Sequence, residues 1–183
     1  MVVDLAIPET ISRVLSGVTD THTSPNARLP SGLVHPVHPE LFRLPYQSEM
    51  WSIWQSARAD DAYPPDRCID PTLLPPAALP FIVLYEIGER PDVIKIRLEG
   101  SEIVRILGRS RRGGIVGQQS GTQAHLGRLT WAAANGKPYW VKTAIEHDRY
   151  HYRTYTVLVL PYGQNGRVTR LVGVNAFDNL PAE

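Results

Sequence analysis

Apolar and polar positions follow each other along the chain in three rhythms, and each rhythm predicts a different element. From Phe81 to Ile87 apolar residues are nearly continuous, as in a buried strand. From Val93 to Leu98 they alternate with charged ones through Ile94, Lys95, Ile96, Arg97 and Leu98, as in a strand with one wet face. Gly88, Glu89, Arg90, Pro91 and Asp92 between them are turn formers, and their length suits a hairpin. At Gly100 and Ser101 the period lengthens. Ile103, Val104, Ile106 and Leu107 then share one face of a short helix that Gly108 can end.

Helical spacing occurs twice more. Between Gln47 and Ala59, the residues Met50, Trp51, Ile53, Trp54 and Ala57 make an apolar stripe, with Glu49, Gln55 and Arg58 for the wet side. Between Thr122 and Asn135 the stripe runs through Leu126, Leu129, Trp131 or Ala132, and Ala133, and Asn135-Gly136 is a stop signal. Three segments rich in aromatic and β-branched residues close the chain: Tyr139 to Ile145, Tyr150 to Leu160 and Val168 to Phe177. His147 and Asp148 are read as the turn between the first two, and Tyr162 to Arg167 as the turn between the second and third. No crossover helix fits either gap, so these strands form an antiparallel meander. The order predicts an α+β domain: a five-stranded antiparallel sheet, helices over one face, and a concavity between them that suits a small ligand.

The remaining segments read as accessory. Residues 1 to 45, with Pro25, Pro30, Pro36, Pro39 and Pro45, read as a flexible or surface-packed arm. Residues 46 to 80 supply the tryptophan-bearing helix and a Pro-rich connector, 81 to 178 the core, and 179 to 183 a tail. Within the connector, Asp70 is placed to cap the turn Thr72 to Leu74.

Composition narrows the class. With 183 residues and 43% hydrophobic content, the chain can build one respectable core. No apolar stretch approaches the roughly 20 residues of a membrane span. Asp4 stands where a signal peptide would be basic, and Cys68 is the sole cysteine, so a cytoplasmic, disulfide-free protein is expected. Residues 1 to 80 carry five Lys or Arg against nine Asp or Glu, and residues 81 to 183 carry fourteen against nine. Only Arg109, Arg111 and Arg112 cluster, which is too little for a nucleic-acid partner.

Reactive residue types are scattered. His35 and His38 lack a third nearby metal ligand, and Cys68 has no base at a telling distance. His147, Asp148, Tyr150 and His151 belong to a hairpin whose turn prevents a common facing. The loop with Gly113, Gly114 and Gly117 lacks the spacing of a phosphate-binding motif and reads as solvated. Arg97 and Arg109, beside Gly100 and Gly108, are placed to reach carbonyls or Glu99 around the junction from strand to helix.

Several local patterns combine into a resemblance. The helix Trp51 to Arg58, Ile69-Asp70-Pro71 before the first strand, Arg97-Leu98-Glu99-Gly100 after the second and Leu107-Gly108-Arg109 after the next helix occur in that order. Leu160-Pro161, Gly166 and Leu171-Val172-Gly173 follow in the closing hairpin. Over residues 46 to 178 this arrangement is similar to a bacterial subgroup of PAS sensory domains. The resemblance implies a sheet order of 2-1-5-4-3 with the first and fifth strands central, an extra N-terminal helix, and sensing or protein interaction rather than catalysis. It does not bring a ligand with it, since members hold haem, flavin, small metabolites or nothing visible, and this subgroup commonly lacks an assigned cofactor; the expected partners are a homodimer or a separate signalling protein, with a small molecule as the candidate ligand of the cavity. Haem-binding members use a histidine on the long helix, which here is His125; the flavin photosensor motif is absent, since Cys68 precedes the first strand. The other readings are a small cavity enzyme with a histidine base and a ligand-free interaction module.

Overall fold

The computed structural model of the chain describes residues 29–118, 122–144 and 154–177. Six strands form one open antiparallel sheet: β1 (Leu33–Val34), β2 (Ile82–Ile87), β3 (Ile94–Glu99), β4 (Tyr139–Ala144), β5 (Thr154–Gln164) and β6 (Arg167–Phe177). Their order is β1-β4-β5-β6-β2-β3. The helices are α1 (Pro45–Arg58), α2 (Ser101–Leu107) and α3 (Gln123–Asn135).

This corrects the expected five-stranded PAS-like sheet of order 2-1-5-4-3 and, with it, the PAS resemblance itself. The sheet has a sixth strand at one edge, and helices cover both of its faces. The extra strand was hidden because Leu33 and Val34 pair with only Val141 and Trp140 of β4, too few residues to show a period. The two-sided cover follows from β5 and β6. Thr156 to Tyr162 and Leu171 to Phe177 are buried without alternation, as strands packed on both faces must be.

The two faces form separate apolar clusters. Under α2 and α3 lie Val83, Tyr85, Ile94, Ile96, Tyr139, Val159 and Leu171, met by Leu129 of α3. Under α1 lie Leu158, Leu160, Tyr162, Val172 and Val174, met by Tyr46, Met50 and Trp54 of the helix. Tyr46, Met50 and Trp54 recur at four-residue spacing, so a single stripe of α1 seats on the sheet. Three bonds fix its position: Tyr46 Oη donates to the Asn175 carbonyl at 2.8 Å, Gln47 Nε2 to that of Val174 at 3.1 Å, and Trp54 Nε1 to that of Pro161 at 2.8 Å.

The last hairpin is tighter than the sequence suggests. Its turn is Asn165-Gly166 alone, with φ of 53° and 73°, and Tyr162, expected in the turn, is a buried strand residue. Pro161 misleads here. It pairs with Leu171 beyond the last residue that β4 matches, Val159, where a missing amide breaks no second ladder.

One irregularity in β3 decides what faces the interior. Leu84 pairs with Leu98 while Tyr85 pairs with Ile96, so Arg97 is an extra, bulged residue. Beyond it the alternation is inverted. Leu98 turns outward and is 46% exposed, and Glu99, opposite Val83, turns in. The next residue must be glycine. A β-carbon on Gly100 would lie 2.2 Å from the Pro80 carbonyl oxygen, while its own amide bonds Ile82 at 2.8 Å.

Candidate functional site

Edge strand β3 is covered by the segment that follows α2. Gly113 and Val116 donate to the carbonyls of Ile96 and Ile94, and Ile96 donates to Gly114, at 2.8 to 2.9 Å. The glycine loop is therefore an added edge ribbon rather than a solvated loop, and it blunts the free side of the sheet. Gly113 and Gly117 have φ of +85° and +92°, which explains glycine at both turns.

Glu99 anchors this ribbon. Its side chain is 1% exposed, and Arg111 supplies its main-chain N–H, its Nε at 2.8 Å and a second guanidinium nitrogen at 2.8 Å. Ser110 Oγ adds a 3.3 Å contact. A buried carboxylate needs such donors, because stripping it of water is otherwise very costly.

Between the ribbon, β3 and the start of α3 lies a cavity of about 280 Å³. It is lined by Ile96, Ile115 and Val116, by Arg109, Arg111 and Arg112, and by His125. His125 is partly buried, and its Nε2 lies 3.1 Å from Tyr85 Oη. Burial, then the charges of Arg128 and Arg111, push its imidazole down to about 3, so the ring is neutral at physiological pH. Burial pushes the hydroxyls of Tyr85 and Tyr139 well above the usual tyrosine range, and both remain protonated. The Tyr85 ring lies beside Gly173, where an added β-carbon would stand 3.4 Å from Tyr85 Cε2, in ordinary contact.

Of the residues singled out by sequence, His125 and Arg109 meet at this cavity, whereas Arg97 sits exposed at the bulge. The Glu99 partner is Arg111, not Arg97. Gly100 and Gly108 bracket α2, the latter as a left-handed cap with φ of 69°. Asp70 accepts from the Thr72 amide at 2.9 Å and its hydroxyl at 2.7 Å, which together hold its carboxyl below the usual range. Trp51 and Trp54 lie across the sheet from the cavity, stacked at 5.4 Å, with Phe42 edge-on to Trp51. His35 Nδ1 lies 2.9 Å from the Pro138 carbonyl, and His38 pairs with Glu40 at 3.3 Å. Cys68 is partly buried beside the α1 cluster. His147, Asp148, Tyr150 and His151 fall outside the described residues.

Tyr85, Tyr139 and Arg128 were not picked out as site residues from the sequence, and Arg111 only as a member of the arginine cluster. A hydroxyl at the centre of the apolar run FIVLYEI was the available signal for Tyr85. Haem does not fit this site. The Nε2 of His125 already faces Tyr85, and the adjoining space is narrow and walled by arginines.

A second hollow, of about 310 Å³, opens at the far end of α3 among Tyr63, Ile87, Gly136 and Arg167. Arg167 there donates to the Gly88 carbonyl. Among the described residues no three His, Cys, Asp or Glu side chains form a metal-binding group, and no helix is long and apolar enough to cross a membrane. No protein-family model, curated protein or solved structure matches the chain.

Proposed function

We propose that this α+β domain is a noncatalytic ligand-responsive module, taking a small molecule in the cavity beside β3 and passing occupancy to a partner protein or a second copy through the Arg109–Gly117 ribbon. The observation that carries this reading is the double role of the ribbon. It walls the cavity and is also hydrogen-bonded to the sheet edge, so a ligand touching it acts on an element of the fold. Against a histidine-base enzyme stands the depressed basicity of His125, far below the operating pH that general-base catalysis requires. The ring is also engaged, its Nε2 lying 3.1 Å from Tyr85 Oη.

Ligand-observed NMR of the full chain against a metabolite library, repeated with Ile115→Trp to fill the cavity, tests the reading. Ile115 lines the cavity and is 42% exposed, so the larger ring can be carried without rebuilding the core. Hits that disappear in Ile115→Trp support the proposal. A library without such hits removes it, and product formation from any hit replaces it with the enzyme reading. Native mass spectrometry of the same sample reads the dimer.

A further inference from the structure

We propose that Asn165, at the tip of the last hairpin, is a site of spontaneous covalent modification: it closes with Gly166 to a succinimide that opens to isoaspartate and aspartate, while the fold shields Asn135-Gly136. The sequence holds these two Asn-Gly pairs and no third. In each, the glycine has no side chain to obstruct attack by its nitrogen on the asparagine amide. Local sequence therefore ranks the two pairs equally, and their surroundings separate them.

Asn135 and Gly136 end α3 with both reacting groups held. Asn135 Nδ2 donates to the Trp131 carbonyl at 2.8 Å, and the Gly136 amide donates to that of Ala132 at 2.9 Å. Gly136 is buried against Tyr63, whose Cε1 would stand 2.7 Å from an added β-carbon. Asn165 and Gly166 are the reverse case. Both are exposed, as are Gln164 and Arg167 on either side. Among the described residues, neither the Asn165 side chain nor the Gly166 amide makes a hydrogen bond. Such a tip opens locally without disturbing the core, which lets Asn165 Cγ swing onto the Gly166 nitrogen.

The reaction consumes water alone. The Gly166 nitrogen gives up its proton and bonds Asn165 Cγ; the Cγ–Nδ2 bond breaks, and Nδ2 leaves as ammonia with that proton. Water then opens the ring. Attack at Cγ restores the ordinary chain with a carboxylate at position 165, and attack at the main-chain carbonyl leaves the chain running through the β-carbon, as isoaspartate. Either product adds a negative charge near Arg167. Isoaspartate also lengthens a turn that only two residues span between the paired Gln164 and Arg167. Gly166 and Arg167 line the hollow of about 310 Å³, so the change falls on its rim.

Incubation of the full chain at mildly alkaline pH, folded and in guanidinium chloride, tests the assignment. Peptide mapping with fragmentation that separates aspartate from isoaspartate follows both positions. Methyl transfer from S-adenosylmethionine by an isoaspartyl methyltransferase counts isoaspartate in the intact protein. In the folded chain position 165 is expected to convert about tenfold or more faster than position 135, where two bonds must break first. In denaturant the two rates should converge. Asn165→Gly keeps a residue suited to the left-handed turn and should abolish most of the methyl acceptance of the folded chain.

Four results overturn the inference. Equal rates in the folded chain, or faster conversion at 135, refute the shielding. A position 165 that stays intact when folded and converts in denaturant shows that the turn protects its own asparagine. Aspartate without isoaspartate points to direct hydrolysis of the side-chain amide and removes the succinimide. Methyl acceptance unchanged in Asn165→Gly places the reactive residue elsewhere.

Discussion

On the face under α1, Tyr46, Gln47 and Trp54 each donate to a main-chain carbonyl; on the opposite face, Tyr85 meets His125 and Glu99 meets Arg111 mainly through side chains. The difference separates two uses of buried polarity. A bond to a carbonyl of β5 or β6 fixes where a helix sits, because the carbonyl cannot turn away. A pair of side chains beside a cavity can rearrange when a ligand offers new partners, and the pairs of the second face lie next to the cavity beside β3. The α1 face is thus built for position, and under the proposed function the α3 face serves exchange.

The largest effect that sharpens this contrast is Trp54→Ala. Trp54 is 2% exposed, so its loss leaves a large hole and an unbonded Pro161 carbonyl; urea unfolding should show a loss of about 4 kcal/mol. Binding at the cavity should persist under conditions where the variant is folded, and its disappearance would merge the two faces into one functional unit. Next comes Arg111→Ala, which strands Glu99 in the interior and should cost about 3 kcal/mol. In Arg111→Ala/Glu99→Gln most of that loss should return, and simple additivity of the two changes in denaturant would show that the pair does not anchor the ribbon.

A smaller loss, roughly 2 kcal/mol, is expected for Gln47→Leu, which removes the bond to Val174 and leaves the Arg43 amide without its partner. Its signature is positional: stability drops while cavity ligands bind unchanged.

The effect that vanishes at neutral pH is a pH dependence. His125 takes up a proton near pH 3 when folded and near its ordinary 6.5 when unfolded. Between those values the unfolded chain binds the extra proton, so stability contributed by neutral His125 is complete above about pH 6.5 and is lost as pH falls toward 3. The slope should reach at most about 1 kcal/mol per pH unit, given the partial exposure of the ring. His125→Gln should flatten it, and an unchanged difference between wild type and variant across this range would show that the ring is not held neutral by the fold.

Strong local periodicity made most elements legible in advance. The opening hairpin, the helix ended by Gly108, the long helix ended by Gly136 and the closing strands occur within a few residues of their expected limits. What was not legible depends on partners distant in sequence. Leu33 and Val34 become a strand only because β4 is there, and Glu99 finds Arg111 only because the ribbon folds back on β3. The alternation Ile94, Ile96, Leu98 pointed to leucine inside and Glu99 outside; the bulge at Arg97, silent in the sequence, reversed both. At the site, His125 was visible as a histidine on a helix, but its neutrality arises first from burial and then from the charges of Arg128 and Arg111, which come together only in three dimensions.

That surplus residue has a further consequence. Around Arg97 the strand counts one more than its neighbour, and the miscount exchanges an oily side chain for an acidic one at the boundary of the interior, a trade that burial alone disfavours by about 2 kcal/mol for the leucine. Insertion or loss of one residue between Ile96 and Glu99 is therefore not a local matter. It sets the phase of the strand end, and with it whether the arginine ribbon has anything to hold on to.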